Sequence, residues 1–121
     1  PAFKIAVYHF DSSEDFIYPV ISHLKEEVLL KVSGKNWLDI SDHQANKGKA
    51  LQQVQQLLGV SKKQTMVFGD YLNDIEMMQE ANFSFAMTNA HRDIKELANY
   101  STDSNDNNGV TKVIAQVLNA F

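Results

Sequence analysis

The chain has 121 residues, 44% of them hydrophobic and 21% charged, and 11 Lys+Arg against 15 Asp+Glu give a formal net charge of −4. This mild acidity argues against a basic phosphate-backbone binder and against a Lys/Arg-rich membrane-surface helix, so neither nucleic acid nor membrane is an expected partner. Cysteine is absent, no apolar run approaches the ~20 residues of a membrane span, and Lys4 is followed by too few apolar residues for a signal peptide, so a cytoplasmic chain of one small domain, or pieces of two, is the expectation.

Phe3 to Tyr8 is short, apolar and partly β-branched and predicts a strand. Polar Asp11 to Asp15 predicts a loop. Phe16, Ile17, Val20, Ile21 and Leu24 recur at helical spacing, and Pro19 is tolerable only in a first turn, which puts the helix start near Ile17. Val28 to Val32 and Trp37 to Ile40 predict an antiparallel hairpin around a Ser33–Asn36 turn. Asp42 to Lys49 is polar and reads as a connection or boundary. A clean helical face follows at Ala50, Leu51, Val54, Leu57 and Leu58, stopped by Gly59. Ser61 to Gln64 fits a capping box. Thr65 to Phe68 is an unbroken apolar strand, as expected of a strand covered on both faces in a parallel sheet. A helix through Ile75, Met77, Met78 and Ala81, a strand over 83–87 and a helix through Ile94, Leu97 and Ala98 come next. An Asn/Asp-rich loop, Thr102 to Gly109, leads to a last amphipathic helix at Val110, Val113, Ile114, Val117, Leu118 and Phe121. Residues 1–42 therefore read as β-α-β-β, and 43–121 as alternating α/β with a parallel sheet.

Gly69-Asp70-Tyr71-Leu72-Asn73-Asp74 is the most informative stretch. It lies at the carboxyl end of an apolar strand, where open α/β sheets bind ligands. Two carboxylates and an amide in one tight loop suit a hard cation such as Mg²⁺, and Gly69 would permit close ligand approach. On spacing alone, Asn73 or Asp74 reads equally as a helix cap. Asn46-Lys47-Gly48-Lys49 opens a helix, where a lysine beside backbone N–H groups can meet a phosphate; the pattern leaves open whether Lys47 or Lys49 does so.

Together these segments resemble the haloacid-dehalogenase superfamily of phosphohydrolases, in its Cof-type subgroup with a C2-type cap. Lys47-Gly48-Lys49-Ala50-Leu51 matches that subgroup's lysine motif, and Gly69 to Asp74 matches its Gly-Asp-x-x-Asn-Asp. Asn89-Ala90 and the loop Ser104 to Val110 match further turns. The resemblance implies the C-terminal half of a Rossmann-type core (43–121), a parallel sheet with flanking helices, after the α+β end of a cap (1–42). It implies a Mg²⁺-dependent phosphatase working through an aspartyl-phosphate. Asp70 would be a Mg²⁺ ligand, and Asp74 would support the metal through water or hydrogen bonds. Lys47 would neutralise the transferring phosphoryl group, and Asn73 would contact the substrate phosphate.

The family's nucleophile motif, Asp-x-Asp-Gly, has no counterpart: no two of the nine aspartates are separated by one residue. Asp11 follows a strand but lacks both the partner carboxylate and the glycine. The chain is thus expected to be the second half of a longer phosphatase and inactive alone, with a small phosphorylated metabolite, such as a sugar phosphate, as substrate. A stand-alone phosphate-binding or interaction module is the alternative. Without the nucleophile strand, Met66, Val67 and Phe68 would lie on an open apolar sheet edge that recruits the missing half or a second copy. His9, His23, His43 and His91 read as surface or packing residues, and Met66, Met77, Met78 and Met87 as core filling. Trp37 and Phe16 read as either core or substrate-facing. Asp103 and Asp106 resemble a calcium loop loosely but lack its closing Glu, and read as a mobile loop.

Overall fold

The computed structural model describes residues 3–120, so Phe121 of the last expected helical face lies outside the described residues. Lys4–Tyr8 (β1), Leu29–Gly34 (β2) and Trp37–Ser41 (β3) form an antiparallel sheet in the order β1-β3-β2. The expected hairpin is present, but Ser33 and Gly34 remain in β2, with a register shift between Val32 and Gly34, and the turn shortens to Lys35-Asn36. Alternation gives the sheet two unlike faces. Leu30, Val32 and Leu38 form one, packed under Ile17 and Ile21. Lys4, Lys31, Asp39 and Ser41 share the other by register. Trp37 stays half-exposed, edge-on to Tyr8 at 4.9 Å, and Phe16 stacks on His9 at 4.7 Å, so neither belongs to the buried cluster.

The helix expected from Ile17 begins earlier and is broken into Ser13–Phe16 (α1), Tyr18–Ile21 (α2) and a 3₁₀ turn, Ser22–Leu24. Ser12 starts α1 by accepting the Asp15 N–H at 3.1 Å. Pro19 has no N–H with which to continue the ladder, so it sits in the first turn of a second helix. Fully buried Ser13 donates from Oγ toward the carbonyls of Gly34 and Lys35, tying α1 to the hairpin.

The second sheet is parallel. Met66–Gly69 (β4), Phe83–Met87 (β5) and Tyr100–Thr102 (β6) lie in the order β4-β5-β6. β6 is an addition to the expected elements. It is three residues long, has no apolar run of its own, and exists because β5 offers it a ladder. Lys47–Leu58 (α3), Ile75–Met78 (α4), Arg92–Leu97 (α5) and Gly109–Asn119 (α6) complete the chain. α3 starts at Lys47, three residues before the apolar pattern, because the Asn46 side chain accepts the Lys49 N–H at 2.8 Å. Gly59, at φ 65°, ends it as expected. The core joins Val67, Ala86 and Met87 of the sheet to Met78, Ala81 and Ile94 beside it. Of the expected methionines, Met78 and Met87 are buried, and Met66 and Met77 are half-buried.

Two expected apolar faces find little cover. On α3 only Leu51 reaches the core, while Leu57 and Leu58 are 84% and 66% exposed. On α6 Val113 is buried, but Ile114, Val117 and Leu118 stand open to solvent. Residues 42–46 lead from the first sheet to α3, and Tyr71 and Leu72 also pack onto the Leu30–Val32–Leu38 cluster. Among the described residues, no helix is long and apolar enough to cross a membrane.

Candidate functional site

The site forms where β4 ends. Gly69 is buried, and its φ is not left-handed. Its lack of a side chain serves packing: a Cβ there would lie 2.8 Å from Met78 Sδ and 3.1 Å from Asp74 Cβ. Asp74 and Met78 come this close to the strand end only because Gly69 carries no side chain. That loop makes a 3₁₀ turn, Leu72–Asp74, and swings the Asp74 side chain back over the strand end.

Asp74 is the centre of the arrangement. Its side chain is 5% exposed, and Oδ1 accepts a hydrogen bond from Lys47 Nζ. Oδ2 accepts from the Asp70 N–H at 3.0 Å and the Tyr71 N–H at 3.5 Å. Asp74 therefore holds the 3₁₀ turn and pairs the lysine at once, while its side chain does not cap α4, the helix that follows. Lys49 points elsewhere, with its Nζ on Gln44 Oε1. Of the two lysines, Lys47 is the one aimed at the acidic loop.

Asp70 is the exposed member of the pair. Partial burial of its carboxyl, then the nearby Asp74 charge, push its pKa above the usual carboxylate value, against the opposing pull of Lys47. The sign of the consequence is fixed. Folding favours the protonated form, so Asp70's contribution to stability is present below the unfolded carboxylate pKa and is lost as pH rises through the raised folded value. In metal-free chain, Asp70→Asn is expected to raise the melting temperature at pH 7 and to lose that advantage near pH 3. Equal shifts at both pH values, measured by thermal denaturation in EDTA, would contradict this.

Asn73 lines a cavity of about 200 Å³ with Lys47, below the polar face of the antiparallel sheet. His91, expected as a surface or packing residue, is half-buried beside the loop. Its N–H donates to the Asp70 carbonyl at 2.8 Å, and its ring caps α5 by accepting the Asp93 N–H and meets Tyr71 edge-on. Burial, then the Glu14 charge, raises the Tyr71 pKa. Spacing carried no signal for either contact. The same holds for Glu76, whose Oε1 lies 2.5 Å from Lys31 Nζ across the junction and whose buried Oε2 has no hydrogen-bond partner among the described residues.

Gly48 sets the distance between α3 and this loop. A Cβ there would lie 2.6 Å from Glu76 Cβ and 2.8 Å from the Glu76 carbonyl carbon and oxygen. Backbone cannot yield as a side-chain tip can, so Gly48→Ala is expected to cost about 1–3 kcal/mol in urea unfolding and to pull Lys47 off Asp74. Away from the site, Asp103 pairs with Lys112 at 2.5 Å. Among the described residues, no cluster of three or more His, Asp or Glu groups is placed to hold a metal.

A family model described as haloacid dehalogenase-like hydrolase matches residues 1–114. The 5-amino-6-(5-phospho-D-ribitylamino)uracil phosphatase of Escherichia coli is 34% identical, over 93% of this chain and 47% of the relative. A Bacillus subtilis phosphatase of the same description is 36% identical, over 88% of this chain and 44% of its own length. The crystal structure of a Streptococcus mutans protein matches with a TM-score of 0.87 at 36% identity, covering 96% of this chain and 44% of that one. The chain thus spans about half the length of the relatives it matches.

Proposed function

Because the chain belongs to the haloacid dehalogenase-like hydrolase family, we propose that it supplies the lysine and acidic-loop half of a Mg²⁺-dependent phosphomonoesterase. The observation that carries this is the Lys47–Asp74 pair at the carboxyl end of β4, with the Asp70 carboxyl exposed beside it. Residues 43–121 are the C-terminal half of the catalytic core in this reading, and 1–42 the end of a cap. The nucleophilic aspartate and its acid/base partner come from sequence other than these residues, so the chain by itself is expected to show no turnover.

The donor set fits a hard cation. Two carboxylates lie close together, and burial followed by the Asp74 charge raises the Asp70 pKa, so a cation placed beside them would offset their repulsion. Asp74 has both oxygens engaged, so it holds the loop and leaves Asp70 as the direct ligand. Water, substrate phosphate and residues from the other half would complete the shell. Bound Mg²⁺ would supply positive charge against the phosphoryl oxygens. Lys47, held by Asp74 and 51% exposed at its side chain, would present its ammonium to the same oxygens, and Asn73 would offer its amide to them. Two relatives are named for acting on a phosphorylated ribityl chain, which supports a small phosphorylated metabolite of the sugar-phosphate kind.

Calorimetric titration with MgCl₂ and inorganic phosphate tests the reading. Phosphate binding is expected to need Mg²⁺, and Asp70→Asn is expected to remove the Mg²⁺ response. Tight Mg²⁺ binding that survives Asp70→Asn would overturn the metal assignment. Phosphate-ester hydrolysis by the chain alone would overturn the division of the catalytic residues.

A further inference from the structure

The cavity that Lys47 and Asn73 share has a second wall of different chemistry. Its roof is the polar face of the antiparallel sheet, which presents Lys4, Lys31, Asp39 and Ser41 to the same space of about 200 Å³. The register sets these residues side by side: Asp39 lies opposite both Ala6 and Lys31, and Ser41 opposite both Lys4 and Leu29. Lys31 is committed to Glu76. Asp39 is not saturated. Its side chain is 15% exposed, and among the described residues its carboxylate takes one hydrogen bond, from Lys4 Nζ at 3.1 Å.

We propose that Asp39 is a specificity-determining residue that accepts hydrogen bonds from hydroxyl groups on the carbons nearest the phosphate of the substrate. This deepens the reading of Lys47 and Asn73 as the phosphate end, on which it rests. A phosphate held by that pair directs its ester carbons into the cavity toward the roof. There an alkyl chain would strip water from Asp39 and Lys4 and gain only contact with Leu29 and Ala45 in return, whereas a hydroxyl donates to Asp39 and accepts from Lys4. The cavity is small and opens to solvent, so it has room for a short open chain beside the phosphate. The class selected is the phosphate monoester of a linear polyol.

Calorimetry on the full chain in MgCl₂, with D-ribitol 5-phosphate and n-pentyl phosphate as probes, tests this. The wild type is expected to favour the polyol ester about 10-fold or more. Asp39→Ala is expected to bring that ratio below about 3-fold. Asp39→Asn, which keeps the shape of the side chain and guards against a folding failure in the alanine variant, is expected to fall between. A ratio unchanged in both variants, or no preference in the wild type, overturns the assignment of Asp39. The companion variant Lys47→Ala separates the two readings: undiminished affinity for both esters would sink the phosphate-end assignment of Lys47, while the ratio between them still reports on Asp39. Binding of neither ester by the wild type overturns both.

Discussion

Truncating Lys47 to alanine is expected to lower the affinity of the chain for phosphate by about 10-fold or more, with a smaller loss of stability than removing Asp74. Once the chain is joined to a half that carries the nucleophile, the same change is expected to cut kcat by about 10²–10³-fold, the scale of losing one preorganised electrostatic partner. The asymmetry of the ion pair is the reason. Lys47 is half-exposed and costs little to bury, but the carboxylate it pairs is 5% exposed, so losing the lysine leaves that charge with its two N–H donors alone. Asp74 is the buried member and keeps the Asp70 and Tyr71 N–H groups when the lysine goes. Asp74→Ala is expected to behave differently. It leaves those two donors without their acceptor and frees the loop, which costs about 2–4 kcal/mol of stability alongside function. Thermal denaturation and phosphate titration on both variants would tell them apart. Equal destabilisation by the two substitutions would show that Lys47 is a structural residue.

Expressed alone, the chain is expected to self-associate. β4 has β5 on one side and, among the described residues, no strand on the other. Beside it runs an apolar groove of about 720 Å³, walled by Met66, Phe83 and Phe85 of the sheet and by Val113, Ile114 and Val117 of α6. An open strand edge next to an apolar trough recruits whatever can pair and pack there. Relatives of about twice this length match the chain over 44–47% of themselves, and we propose that the rest of such a longer protein is the natural cover of this face. In its absence a second copy is expected to take the place. Light scattering is expected to show dimers or larger species. Paired Ile114→Glu and Val117→Glu, on half-exposed positions, are expected to shift the population toward monomer. A clean monomer of the unaltered chain at high concentration would refute the idea.

Much of the fold was legible because its signals are local. Continuous apolarity marked β4, helical periodicity marked α3 and α6, and Gly59 marked a helix end that needs positive φ. The acidic loop was legible for the same reason, since Asp70, Asn73 and Asp74 follow a strand end within six residues of Gly69. β6 was not, because three residues without an apolar run become a strand only when a neighbour supplies the ladder. Nor was the break at Ile17, since the Ser12 cap and the prolyl constraint compete with the apolar spacing and prevail. The choice of Lys47 over Lys49 was also out of reach, for it depends on how closely Gly48 lets α3 approach Glu76.

By itself the sequence determined the alternation of elements, the motifs at Lys47 and Gly69 to Asp74, and through them the family resemblance. These depend on residue identity at short range, where side-chain type and backbone preference act directly. The tertiary structure alone decided that Asp74 spends its carboxylate on a lysine 27 residues away, that His91 touches the Asp70 loop, and that Asp39 of the first sheet shares a cavity with Asn73 of the second. Such contacts arise from packing two sheets across the junction at Tyr71 and Leu72, and no periodicity along a chain encodes which distant side chains that packing brings within hydrogen-bond reach.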